Sequence, residues 1–209
     1  MTKPLLSLLC LLLAGTMAST ASAAPAQAPT ATAVFSMYCY WTGEATLGRV
    51  PGVVRTRIGH LPGAEIVEVS WDPSRTDLGQ LTAALKRQSS FYALLARSRE
   101  ERQQALAHLP GSEVKVESEA PDFLESKHSL RTRHPDLYYL DLTEAQAIAL
   151  NSWSYFGGEM PDVLTPEQKA LRPKLRGQLA AGQKPGLIPE RTGPRQAAYR
   201  KALLAWLEG

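Results

Sequence analysis

The sequence predicts an α+β fold: a two-layer sandwich with helices on one face of an antiparallel sheet, followed by extra C-terminal helices. Three observations carry this. Residues 53–58 and 64–71 alternate in polarity, the period of half-buried strands. Asp77-Leu78-Gly79-Gln80 has capping-box form and opens a run of Leu78, Leu81, Ala84 and Leu85 at helical spacing. The elements up to residue 117 then read strand, helix, strand, strand, helix, strand, which is the split βαβ order of the ferredoxin-like sandwich.

Each element has its own signal. Residues 31–40 are apolar, with β-branched and aromatic side chains, and read as the first strand. A helix is expected to start at Gly43, with Glu44 in its first turn, where a carboxylate is favoured. Pro51-Gly52 marks a turn before the second strand at 53–58. Leu61-Pro62-Gly63 marks another before the third at 64–71, where Val67, Val69 and Trp71 share one side. The second helix follows from Asp77 to about Arg87. A short charged helix is expected over 98–109, and a fourth strand over 114–117. The remainder reads as helical. Thr143-Glu144-Ala145-Gln146 and Thr165-Pro166-Glu167-Gln168 both have capping-box form. A Gly/Pro-rich connector over 182–193 precedes an amphipathic helix at 196–207. Residues 165–209 hold nine Lys/Arg against three Glu, which reads as a solvated basic surface.

The N-terminus reads as a secretory signal over residues 1–23: Lys3, an apolar stretch from Pro4 to Ala14, and a small-residue site at Ala21-Ser22-Ala23. The stretch is too short to span a bilayer, so no stable membrane insertion is expected. Residues 24–33 read as a disordered Pro/Ala/Thr leader, and residues 34–140 and 141–209 as the α+β domain and a helical extension. The expected destination is the periplasm or the exterior. A net charge of +3 is too near balance for nucleic acid to be the main partner. Cleavage after Ala23 removes Cys10 and leaves Cys39 as the single cysteine, in an oxidising compartment where it has no partner on its own chain.

Cys39 lies where a strand-like run gives way to a helix-like one, and helix N-terminal amides favour a thiolate. The residues around it resemble those of peptide methionine sulfoxide reductase A. Cys39-Tyr40-Trp41-x-x-Glu44 is similar to that family's Gly-Cys-Phe-Trp-x-x-Glu signature. Residues 50–60 resemble the stretch that ends in Gly-Tyr, Gly63-Ala64-Glu65 resembles Gly-His-Ala-Glu, and Trp71-Asp72-Pro73 resembles Tyr-Asp-Pro. The match is strongest over residues 34–85. Weaker echoes lie at 91–95, against Gln-Tyr-Arg-Ser-Ala-Ile, and at 123–128, against a segment ending in Tyr-His-Gln. The sequence departs from the family at Tyr38, where the family has Gly, and at His60, where it has Tyr. The loop before Glu65 is reduced to Leu61 and Pro62. Arg87 falls nearest the place of a family aspartate, and no resolving cysteine is present near the C-terminus.

The resemblance implies an exported peptide-methionine (S)-S-oxide reductase. The Cys39 thiolate attacks the sulfoxide sulfur. The oxygen finally leaves as water and so needs a proton donor, a role that falls to Glu65. Tyr92 and His60 are candidates for further hydrogen bonds to that oxygen. Tyr40 and Trp41 are candidates for the apolar wall that receives the S-methyl group. Cys39 becomes a sulfenic acid. With no second thiol, an external reductant of thioredoxin-like or glutathione-like type must resolve it, and no bound cofactor or metal is implied. The expected partners are methionine sulfoxide, free or in proteins, and that thiol. Two other readings are a catalytically degenerate relative acting as an interaction protein, and a soft-metal module holding Cu(I) at Met37 and Cys39. His108, His128 and His134 lack metal-type spacing.

Overall fold

The computed structural model describes residues 30–124 and 126–208. The expected signal and residues 24–29 of the expected leader lie outside them. Ala31, Thr32 and Ala33 belong to the first strand rather than to a leader.

Six strands form one sheet in the order β5-β4-β1-β3-β2-β6. Its centre is the predicted sandwich: β1 (Ala31–Met37), α1 (Tyr40–Leu47), β2 (Val53–Leu61), β3 (Ala64–Trp71), α2 (Leu78–Arg87) and β4 (Phe91–Ala96). β1 lies between β3 and β4, and β2 lies outside β3, with all of these neighbours antiparallel. The topological fourth strand is therefore Phe91–Ala96, not 114–117. Its sequence, FYALLA, does not alternate, because Ala93 and Leu94 on opposite faces are both buried. After α3 (Arg99–His108), residues Val114–Val116 form β5, a parallel edge strand beside β4. β6 (Asp122–Phe123) adds two residues to the outer edge of β2.

One face of the sheet carries the core. Phe35 and Met37 of β1, Ile58 of β2 and Val67, Val69 and Trp71 of β3 pack against Leu47 of α1 and Leu81 and Leu85 of α2. The three last strand residues are the set that alternation placed on one side. Full burial of each large aliphatic side chain is worth about 1.5–3 kcal/mol. Helix α2 starts as expected, with the Asp77 carboxylate accepting from the Gln80 N–H at 2.8 Å. It exits through Ser89 at φ 52, and β4 begins two residues later.

Three boundaries differ from the sequence expectation. β1 stops at Met37 and α1 begins at Tyr40, so Cys39 is the N-cap residue and Glu44 lies beyond the first turn. β2 continues past residue 58 to Leu61, so His60 is a strand residue. Pro62-Gly63 alone connects β2 to β3, with Gly63 at φ +73, a conformation that glycine adopts without penalty.

The C-terminal region is helical: α4 (His128–Arg133), α5 (Pro135–Tyr138), α6 (Glu144–Phe156), α7 (Pro166–Ala180) and α8 (Gly193–Glu208). Both expected capping boxes form, at Thr143 and Thr165. Their glutamines also bond each other, Gln146 Nε2 to Gln168 Oε1 at 2.9 Å and Gln168 Nε2 to Gln146 Oε1 at 3.1 Å. Leu130, Leu137, Tyr138, Leu142 and Leu150 make a second core cluster. The basic excess of this region is not simply solvated. Arg172 and Arg176 converge on Asp136 at 2.7 and 2.8 Å, and Arg191 is buried, donating to the Tyr138 carbonyl.

Candidate active site

The end of β1 delivers Cys39 to the start of α1. Tyr38 N–H donates to the Ser90 carbonyl at 3.1 Å, and the Ser90 hydroxyl donates to the Cys39 carbonyl at 3.0 Å. Ser90 is buried and clamps the junction from the start of β4. The same Cys39 carbonyl accepts the first helical bond, from Gly43 N–H at 3.0 Å. Cys39 itself is half-buried, in extended conformation (φ −147, ψ 113), and its side chain makes no capping bond. The N–H groups of Trp41 and Thr42 have no hydrogen-bond partner among the described residues. A helix N-terminus with unsatisfied amides attracts negative charge.

Sheet register brings the acid to this point. Met37, Glu65 and His60 are successive cross-strand partners on β1, β3 and β2. Alternation puts Glu65 on the same face as Val67 and Val69, the face that the helices cover. Its Oε2 accepts from the Tyr40 backbone N–H at 2.7 Å. Its Oε1 has no hydrogen-bond partner among the described residues. Glu65 is thus held at the first turn of the helix that Cys39 caps. The Tyr40 ring stands edge-on to His60, with centroids 5.2 Å apart, and edge-on to Trp41 at 5.9 Å. Burial, then the nearby Glu65 and Cys39, raise the Tyr40 phenol above its ordinary value of 10.0, so it stays protonated.

The remaining predicted residues border this group. Trp41 is 40% exposed and stacks flat on His128, with centroids 3.7 Å apart and planes 5° from parallel. Tyr92 is 41% exposed, and its described contacts are with Tyr38 and Lys115. The rings of Tyr38 and Tyr92 meet edge-on at 5.3 Å, and Lys115 Nζ donates to the Tyr92 hydroxyl at 2.9 Å. The structure therefore gathers Cys39, Glu65, Tyr40 and His60 into one cluster, flanked by Trp41, while Tyr92 joins it by way of Tyr38.

Sequence reasoning missed Ser90, Lys127 and His128. The weak family echo over residues 123–128 was the one signal for the last two. It also placed Glu44 in the first turn of the helix, whereas Glu44 lies beyond that turn as a buried hydrogen-bond hub. Met37, named with Cys39 as a soft-metal pair, is buried against Gly43 and Ser90. Among the described residues no group of three or more His, Cys, Asp or Glu could hold a metal ion.

No family model matches the chain. Two curated relatives do. A peptide methionine sulfoxide reductase of Drosophila melanogaster is 29% identical over 122 residues, a match that covers 46% of this chain and 48% of the relative. A peptide methionine sulfoxide reductase A5 of Oryza sativa subsp. japonica is 39% identical over 64 residues, 24% of this chain and 25% of the relative. The relationship to peptide methionine sulfoxide reductases is divergent. The chain covers half or less of each relative's length.

Proposed function

We propose that this protein is an exported peptide-methionine (S)-S-oxide reductase that works with one cysteine and an external thiol. The observation that carries the reading is the hydrogen bond from Tyr40 N–H to Glu65, which holds a carboxyl group against the helix start capped by Cys39. Two of the motif matches fall on the partners of that bond, and the names of the two relatives agree with it.

The Cys39 thiolate, stabilised by the first-turn amides, attacks the sulfoxide sulfur. Glu65 keeps Oε2 on the Tyr40 amide and delivers a proton from Oε1 to the sulfoxide oxygen. The S–O bond breaks as the oxygen passes to Cys39, giving the sulfenic acid and the free thioether. The thioether sulfur gains two electrons and the cysteine sulfur loses two. A first external thiol then displaces water and forms a mixed disulfide, and a second releases Cys39 as the thiol with an oxidised donor disulfide. Tyr40 and Trp41 wall the methyl group. His60 lies beside Glu65 to bind the oxygen, and Tyr92, whose oxygen accepts from Lys115, keeps its own O–H to act as a second such donor. The donor is an exported thioredoxin-like or glutathione-like thiol.

The test gives the purified protein each sulfoxide epimer of a methionine dipeptide, with dithiothreitol as reductant. Turnover of the S epimer alone, abolished in Cys39→Ser, is the expected result. No turnover of either epimer, with Cys39 slow toward alkylating reagents, overturns the reading.

A further inference from the structure

A buried ion cluster behind the thiol site is unused by the chemistry above. Glu44, on α1, is 2% exposed. Its Oε1 accepts from the Thr56 hydroxyl at 3.1 Å and from Lys127 Nζ at 3.2 Å. Its Oε2 accepts from the Lys127 backbone N–H at 3.0 Å and from Asn151 Nδ2 at 3.2 Å. Lys127, equally buried, reaches a second carboxylate, Glu144 Oε1 at 2.9 Å, and the Thr56 carbonyl at 3.1 Å. Lys127 adopts φ 64, ψ 42, left-handed backbone that lysine rarely occupies. The cluster joins the thiol helix to β2, to the N-cap of α4 and to α6.

We propose that Lys127 is a positioning residue for Cys39: it pins helix α1 to the helical extension and offsets the Glu44 carboxylate, leaving the N-terminal field of that helix to the thiolate. Glu44 lies five residues past Cys39, about 7.5 Å along the axis at the α-helical rise. An uncompensated carboxylate at that range opposes a thiolate, since the protein interior screens weakly. Without Lys127, a like charge and the thiol compete for one helix end. The other groups that face this helix start are Tyr40 on α1 itself, Glu65 from β3, His60 from β2, His128 from α4 with Arg131 acting on it, Tyr155 from α6 through its bond to Thr42, and Lys115 through Tyr92 and Tyr38. None of them replaces the contact of Lys127 with Glu44.

The proposal rests on the thiolate reading above only in its activity arm. The main readout is the pH profile of Cys39 alkylation by iodoacetamide in the full chain, followed at the Cys39 peptide by mass spectrometry. Lys127→Met is expected to move the profile up by about one unit, the order given by a charge roughly 10 Å away at an effective dielectric near 20. Glu44→Gln/Lys127→Met removes both charges and returns the profile toward wild type. Glu144→Gln removes a negative charge and moves it down, which keeps the test decisive should Lys127→Met fail to fold. Turnover by Lys127→Met falls several-fold at neutral pH, in kcat rather than KM, and recovers at higher pH. Coincident alkylation profiles in all folded variants overturn the proposal and leave Lys127 a structural residue. Shifted profiles with no turnover in the wild type overturn the reductase reading alone.

Discussion

Glu65 Oε2 lies 2.7 Å from the backbone nitrogen of Tyr40, so the acid on β3 and the helix that carries Cys39 are joined by one hydrogen bond. A side chain on a strand thereby sets the distance between sheet and thiol. The bond uses one carboxyl oxygen and leaves the other without a partner among the described residues, a division of labour that suits a proton donor.

Glu65→Gln keeps an acceptor for the Tyr40 amide and removes the acidic proton. Turnover is expected to fall about 10²- to 10⁴-fold, the usual worth of a positioned general acid, with an unchanged thermal midpoint. A rate within a few-fold of wild type removes Glu65 from the chemistry. Steady-state kinetics with the S-sulfoxide dipeptide, beside a thermal melt, decides.

Glu44→Ala leaves Lys127 buried with Glu144 as its remaining carboxylate and strips acceptors from Thr56 and Asn151. A destabilisation of about 3 kcal/mol is expected, the low end for breaking a buried ion pair, because Glu144 still compensates the ammonium. Urea unfolding measures it. A loss below about 1 kcal/mol would place the cluster with weak surface pairs.

Gly48→Ala should loosen the thiol helix from α6. A Cβ there collides with the Ser152 hydroxyl and comes within 2.8 Å of Ile148 Cγ2, both of them buried. Overpacking of this kind costs about 1–3 kcal/mol. An unchanged urea midpoint contradicts it.

Stability should fall on mild acidification. Burial, then Arg131, hold His128 below its ordinary value of 6.5, against the pull of Glu44. Burial also lowers His134, opposed by Asp136 and helped by Arg172, Arg133 and Arg176. Both are depressed in the folded state, so the unfolded chain binds protons first. Their contribution is complete above pH 6.5 and is lost as pH falls through their folded values. Urea midpoints at pH 7.5 and 5.5 should differ in that sense, and His128→Gln/His134→Gln should narrow the difference. An equal pH response in the double variant excludes these two histidines as its source.

The hairpin of β2 and β3 was legible because Ile58, Val67, Val69 and Trp71 are buried on one face while Arg57, Glu68 and Ser70 on the other are only partly so, and even the side that Glu65 occupies follows from counting. β4 was not legible, since FYALLA is buried on both faces at its centre and carries no period. The start of α1 was misplaced by three residues because Cys39 is not among the residue types that cap helices through a side-chain oxygen. Cys39 and Glu65 stood out through short motifs. Ser90, Lys127 and His128 did not, because their importance comes from where a distant part of the chain returns, and a lysine enclosed by two glutamates looks in sequence like any solvated charge. Glu44 was misplaced together with the start of α1.

The reciprocal bonds between Gln146 and Gln168 have a consequence for how the extension comes apart. Each glutamine closes the first turn of its own helix and is tied to its twin, so fraying of one turn costs the other its side-chain partner. α6, which presents Asn151 to the thiol helix, and α7 are thereby bound into one unit of opening, and their leading amides should exchange with solvent together, on one timescale, rather than as two independent helix ends.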